Sequence, residues 1–177
     1  MPAFITLFAL LLALSGVACS APPSTTSAAG DAAAAPPAAS PGASVAPVHD
    51  GRPVEISADD TMKFSVTEIA AKPGEKLSVT LVNLGTTPKF SMGHNWLLLA
   101  ATVDVQPFLV AAAEAMTADY VPMATQKDRI LAATKLLGPK ERDTVTFTAP
   151  SAPGRYEFVC SFPGHYQVGM RGVLIVG

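Results

Sequence analysis

The chain has 177 residues, two cysteines and a net charge of -2, and its acidic excess comes wholly from Asp31 and Asp50. Residues 51–177 hold 12 Lys/Arg against 12 Asp/Glu, so the part long enough to bury a core is formally neutral. Neutrality argues against a nucleic-acid partner, which needs a basic face to displace counterions from phosphate.

Residues Phe4 to Val17 form a nearly unbroken apolar run. It is shorter than the roughly 20 helical residues that cross a hydrocarbon core, and its length suits the apolar part of a secretory signal over 1–18. The run ends in Gly16-Val17-Ala18-Cys19-Ser20, and small residues directly before a cysteine resemble the lipobox of bacterial lipoproteins. That resemblance makes Cys19 the lipidated first residue of the mature protein, attached to a membrane; the alternative is a plain signal peptide cut near Ala18 or Ala21. Export follows from either. The other cysteine, Cys160, is claimed below, so no disulfide is expected.

From Cys19 to Asp50 the chain is almost wholly Ala, Pro, Ser, Thr and Gly. Such a segment cannot bury enough apolar surface to offset its ordering entropy. It reads as a flexible tether over 19–50, reaching on the order of 100 Å if fully extended at about 3.1 Å per residue. His49 belongs to this tether and is expected to be solvated.

Over 51–177 short alternating runs recur at Phe64/Val66, Leu77/Val79/Leu81, Val145/Phe147, Tyr156/Phe158/Cys160 and Leu174/Val176, each marking a strand with one buried face. Turn residues divide them: Lys72-Pro73-Gly74-Glu75, Asn83-Leu84-Gly85 and Ser151-Ala152-Pro153-Gly154. The series predicts one all-β domain, a Greek-key β-sandwich. Asp104 to Tyr120 breaks the alternation with an Ala-rich run, Asp104 as N-cap and Pro107 in the first turn, and predicts an inserted helix. Pattern alone extends a second helix over 126–137, opened by a capping-box variant at Thr125-Gln126-Lys127-Asp128 and stopped by Gly138-Pro139.

The chemistry gathers at Cys160-Ser161-Phe162-Pro163-Gly164-His165-Tyr166-Gln167-Val168-Gly169-Met170. A cysteine closing a strand, a histidine five residues on and a methionine five beyond that converge on one ion only if the chain between them loops tightly, and Pro163-Gly164 and Gly169 permit this. His94 completes a set of one thiolate, two imidazoles and a soft thioether, the donors of a blue-copper electron-transfer site. Taken singly, Met170 and Cys160 are more often core residues, and His165 a surface one. Yet two of the chain's three histidines stand where such a metal needs them.

Met92-Gly93-His94-Asn95-Trp96 and Cys160-Ser161-Phe162-Pro163-Gly164-His165 resemble azurin, and the similarity continues through Thr134-Lys135-Leu136-Leu137-Gly138 and Asp143-Thr144-Val145-Thr146-Phe147. The resemblance covers most of 54–176. It implies a cupredoxin-like fold of about eight strands with a helical flap, and a return to strand near Lys135-Leu136-Leu137 in place of the second helix. It also implies one type 1 copper per chain. His94, Cys160 and His165 match the equatorial ligands, Met170 the long axial ligand, and Gly93 the carbonyl approaching from the other side. Asn95 matches the residue bracing the two ligand loops, and the backbone N–H groups of Asn95 and Phe162 match those that bond the thiolate. Azurins have three residues between the second histidine and the methionine; this chain has four, as plastocyanins and auracyanins do. A tethered azurin-like domain is closest in plan to auracyanin.

The expected function is electron transfer in the periplasm or at the cell surface, as a monomer cycling one copper between redox partner proteins such as cytochromes or membrane oxidoreductases. An enzyme with a second copper centre needs further histidines, and only His49 remains. A copper-storage or delivery protein is the alternative, although Met/His clusters are absent. The stretch Ser161–Met170 has no charged side chain; the bases nearest the ligands in sequence are Lys89, five residues before His94, and Arg171, directly after Met170. Docking is therefore expected through Phe162, Pro163 and Val168, with little dependence on salt.

Overall fold

The computed structural model describes residues 50–177. The expected signal over 1–18, Cys19, His49 and all but the last residue of the 19–50 tether fall outside these. Eight strands form: β1 (Arg52–Ala58), β2 (Glu68–Ala71), β3 (Lys76–Asn83), β4 (Leu97–Leu99), β5 (Ile130–Ala133), β6 (Arg142–Thr148), β7 (Gly154–Val159) and β8 (Arg171–Val176). They make a three-stranded sheet ordered β1-β3-β6 and a five-stranded sheet ordered β2-β8-β7-β4-β5. β1 and β2 run parallel to β3 and β8, while the other pairs are antiparallel. The sandwich and its strand number match the expectation from the alternating series and from the resemblance.

Two apolar layers follow from this arrangement. Between the sheets, Ile56, Leu77, Val79, Leu81, Trp96, Leu98, Phe158 and Leu174 are buried together, with Trp96 5.5 Å from Phe158 and 5.9 Å from Phe147 between ring centroids. On the far side of the five-stranded sheet, Leu97, Leu99 and Val159 pack with Phe108 and Ala112 of a helix. That helix, α2, spans Val105–Glu114, after a single turn α1 at Lys89–Met92. Asp104 caps α2 as expected, its carboxylate accepting from the Gln106 N–H at 3.3 Å.

The helix is shorter than the pattern predicts. Ala115 leaves helical geometry, a 3-10 turn fills Met116–Ala118, and Asp119 and Tyr120 take left-handed backbone with φ of 58° and 59°. The second predicted helix is also corrected. A short α3 (Met123–Gln126) begins before Thr125, so the capping box there is unused; a 3-10 turn follows at Lys127–Arg129 and then β5. The return to strand therefore falls at Ile130–Ala133, ahead of 135–137. Side chains explain the displacement: the Lys135 and Leu136 N–H groups donate to the Asp143 and Asp119 carboxylates at 2.9 and 3.4 Å, leaving Leu137 as an isolated bridge to His94. Phe64 likewise makes only an isolated bridge, to Ala58. Among the described residues no helix is long and apolar enough to cross a membrane.

Candidate metal centre

Two loops at one end of the sandwich bring the donors together. The first leaves α1 through Gly93 and His94 into β4. His94 and Leu137 exchange backbone hydrogen bonds of 3.1 and 2.8 Å, which fix the histidine's place beside the end of the β5–β6 connection. Gly93 has ordinary extended backbone, but it is buried so tightly that a Cβ would stand 2.6 Å from the Lys89 carbonyl and 2.8 Å from the Leu136 side chain. Only glycine fits there without displacing that backbone.

The second loop joins β7 to β8. Its turns are closed by the His165 N–H donating to the Phe162 carbonyl at 3.1 Å, Gly169 to Tyr166 at 2.9 Å and Met170 to His165 at 3.0 Å. Gly169 takes a φ of 96°, open chiefly to glycine. The Cys160 N–H donates to the Met170 carbonyl at 3.1 Å, tying the first and last residues of the loop.

His94 and Cys160 have no exposed surface and His165 is 3 % exposed. The Nδ1 atoms of the two histidines face each other at 3.3 Å, the Cys160 Sγ lies 3.5 Å from Nδ1 of His165, and all three ligand atoms lie within 4.8 Å of one another. Met170 is fully buried in the core beside them in the loop. Among the described residues this is the one grouping of three such side chains able to hold a metal.

Burial sets the protonation of each donor. It pushes the Cys160 thiol up to about 12, against the partial opposition of hydrogen bonds from the backbone of Asn95 and Phe162. It brings His165 down to about 4, helped by the neighbouring His94. His94 is lowered by burial too, partly offset by the backbone of Asp59 and the carboxylates of Asp60 and Asp59. Its Nε2 is buried without a hydrogen bond. The result is two neutral imidazoles and a sulfur that becomes a thiolate only when a cation replaces its proton. Imidazole, thiolate and thioether in one dry pocket fit copper.

Asn95 and Ser161 hold the loops to each other. The Asn95 Oδ1 accepts from the Ser161 N–H at 2.8 Å, and Nδ2 donates to the Ser161 hydroxyl and to the Asp119 carbonyl, both at 2.9 Å. The Ser161 hydroxyl donates to the Tyr120 carbonyl at 2.7 Å. Phe162, half-buried, stacks on His165 at 4.6 Å and meets the Tyr120 ring edge-on at 5.0 Å. Ser161, Asp119 and Tyr120 were not singled out as site residues by sequence. Adjacency to Cys160 was the available signal for Ser161, whereas the flap residues carry none.

Comparison with known proteins agrees with this geometry. The model of copper binding proteins of the plastocyanin/azurin family matches residues 53–177. Azurin of Pseudomonas chlororaphis is 35 % identical over 127 residues, covering 70 % of this chain and 96 % of that protein. Outer membrane protein H.8 of Neisseria gonorrhoeae is 37 % identical over 112 residues, covering 62 % of this chain and 60 % of that one. Among solved structures, dithionite-reduced auracyanin from Roseiflexus castenholzii superposes with a TM-score of 0.63 at 34 % identity, covering 71 % of this chain and 96 % of that one. The chain belongs to the plastocyanin/azurin family of copper-binding proteins, as an azurin- and auracyanin-like cupredoxin and a blue copper electron-transfer protein.

Proposed function

We propose that His94, Cys160 and His165 would be the strong ligands of one copper, with the Met170 thioether and the Gly93 carbonyl as weaker donors. The observation that carries this is the convergence of three buried donor atoms within 4.8 Å. Copper held there supplies a one-electron couple between Cu(I) and Cu(II). The chain's own part is to keep its donors still, because electron transfer is fastest when little rearranges with the change of charge. The backbone exchange at His94, the closed loop from Cys160 to Met170 and the Asn95 brace serve that end. The backbone N–H groups of Asn95 and Phe162 stabilise the thiolate. No second centre is needed, and the protein is a carrier and not an enzyme.

Electrons pass by the edge of His165, which is nearly sealed under Phe162, while Pro163, Gly164 and Val168 are exposed around it. That rim docks redox partner proteins such as cytochromes or membrane oxidoreductases. The carrier works as a monomer in the periplasm, held to a membrane through a lipidated Cys19. The lipobox-like stretch supports the anchor, and the similarity to a Neisseria protein named for the outer membrane is in keeping with it. The full burial of His94 and Cys160 favours this reading over storage or delivery, which needs donors a second protein can reach.

The test is to add Cu(II) to the purified protein and record its visible and EPR spectra. An intense blue band from thiolate-to-copper charge transfer is expected, and Cys160→Ser abolishes it. Uptake of Cu(II) by the wild type without that band rejects the ligand assignment.

A further inference from the structure

The stretch between His165 and Met170 bears no charge of its own, yet a charge is delivered to it from elsewhere. Lys63 lies 105 residues away in sequence and donates through Nζ to the Val168 carbonyl. A Cβ at Gly169 would stand 2.8 Å from the same ammonium. Of the two bases beside the ligands in sequence, Lys89 is engaged with Asp119 at 3.5 Å and Arg171 lies over the Tyr166 ring at 4.7 Å.

Lys63 reaches the loop because of the turn before it. Met62 takes left-handed backbone with φ of 56°, its N–H donating to the Asp59 carbonyl at 3.0 Å. Phe64 then enters the core, edge-on to Phe158 at 5.8 Å, and its neighbour Lys63 points outward. The neighbouring carboxylates are occupied locally: Asp59 accepts from the Thr61 N–H at 2.9 Å and Asp60 from the Thr86 N–H at 3.0 Å. Lys63 forms none of the ion pairs among the described residues.

Inside the loop, the carbonyls of Gly164, His165, Tyr166, Gly169 and Met170 accept from N–H groups of the loop itself, of Cys160 or of Arg171. The Val168 carbonyl is the one that takes its donor from the β1–β2 connection. We infer that Lys63 is a positioning residue of the electron-transfer site, clamping the four-residue span that sets His165 and Met170 relative to each other. The inference rests on the ligand assignment above. A charge-assisted hydrogen bond restrains the loop more than a neutral one, and a cation beside the site favours the reduced, less positive metal.

The experiment uses the full-length chain with Lys63→Met, which keeps the aliphatic stem, and Lys63→Arg, which keeps charge and donor. Hydrogen exchange is read first, on the metal-free protein. Losing a solvent-exposed hydrogen bond to a charged group is expected to speed exchange at the Gly169 and Met170 N–H groups about two- to fivefold in Lys63→Met. Lys63→Arg should restore slow exchange. With copper bound, Lys63→Met should release the metal several-fold faster, as expected from the same lost bond, and show a lower reduction potential. Unchanged exchange at Gly169 and Met170 in Lys63→Met overturns the clamp. A wild type that forms no blue site rejects the ligand assignment instead, and the metal-free exchange still decides the role of Lys63.

Discussion

Asn95 clasps Ser161 across 66 residues of sequence, accepting its N–H at 2.8 Å and donating to its hydroxyl at 2.9 Å. The same amide reaches the Asp119 carbonyl at 2.9 Å. One buried side chain therefore joins the His94 loop, the Cys160 loop and the end of the helical flap. All the groups it satisfies lose their partner together.

Asn95→Ala should accordingly cost about 2–5 kcal/mol, since removing one partner leaves buried backbone groups unpaired. Asn95→Asp keeps the Oδ1 acceptor for the Ser161 N–H and loses the donor to Asp119, so it should fall between. Denaturant unfolding of the metal-free protein measures both. Equal stability of Asn95→Ala and wild type would show that water replaces the clasp.

Acid should weaken the metal-free protein in a defined window. His165 is ordinarily protonated below about 6.5 in the unfolded chain, whereas burial brings it to about 4 in the folded one. Between these values the unfolded state binds more protons, so stability falls as pH drops from about 6.5 to about 4, and levels out below. His94 adds in the same direction. Unfolding midpoints at pH 7 and pH 5 test this. Copper uptake near neutrality should release about one proton, that of the thiol, and more as pH approaches 4 and the imidazoles must also give theirs up.

Met170→Leu and His94→Ala separate the weak ligand from a strong one. Removing a thioether that favours Cu(II) only slightly should retain the blue colour and raise the reduction potential. Removing an imidazole should abolish tight binding. Equal damage from both would place Met170 outside the axial role.

Cys19→Ala addresses the anchor. Cell fractionation should find the wild type with membranes and the variant in the soluble periplasm. An unlipidated, soluble wild type would reject the anchor and leave the copper site untouched.

The donor side chains were legible because three of the four fall within eleven residues, Cys160 to Met170, where spacing alone suggests a common ion. Strands β3, β6, β7 and β8 showed through their apolar–polar alternation, which survives in β3 although both its faces are buried, because Ser78 and Thr80 are satisfied by the Thr146 and Thr144 hydroxyls of β6. β4 did not, for a physical reason: Leu98 faces the core between the sheets while Leu97 and Leu99 face the flap, so all three are apolar and no period survives. β1 was hidden by exposure, only Ile56 and Ala58 of it being buried. β5 was obscured because it has only four residues, of which Ala132 alone is buried, and the strand expected just after it at 135–137 is lost to the Asp143 and Asp119 carboxylates, acceptors supplied by the fold and not by the local pattern. Lys63 has no sequence signal at all, because its partner is a backbone carbonyl.

The direction of β1 has a consequence for how the molecule can be moored. Its last residue, Ala58, pairs with Asn83, whose amide bonds the Leu137 carbonyl beside His94. Its first, Arg52, pairs with Leu77 and bonds Glu75 at 2.5 Å, and Asp50 bonds Lys76 just before it. Seven residues at about 3.3 Å each separate the two ends by roughly 20 Å. Any pull through the amino-terminal arm therefore loads the pole opposite the copper ligands. Shortened to begin at Asp50 and fastened there to a flat electrode, with no flexible arm left to let it turn, the protein should present the His165 edge to the solution, exchanging electrons readily with soluble partners and slowly with the surface that holds it.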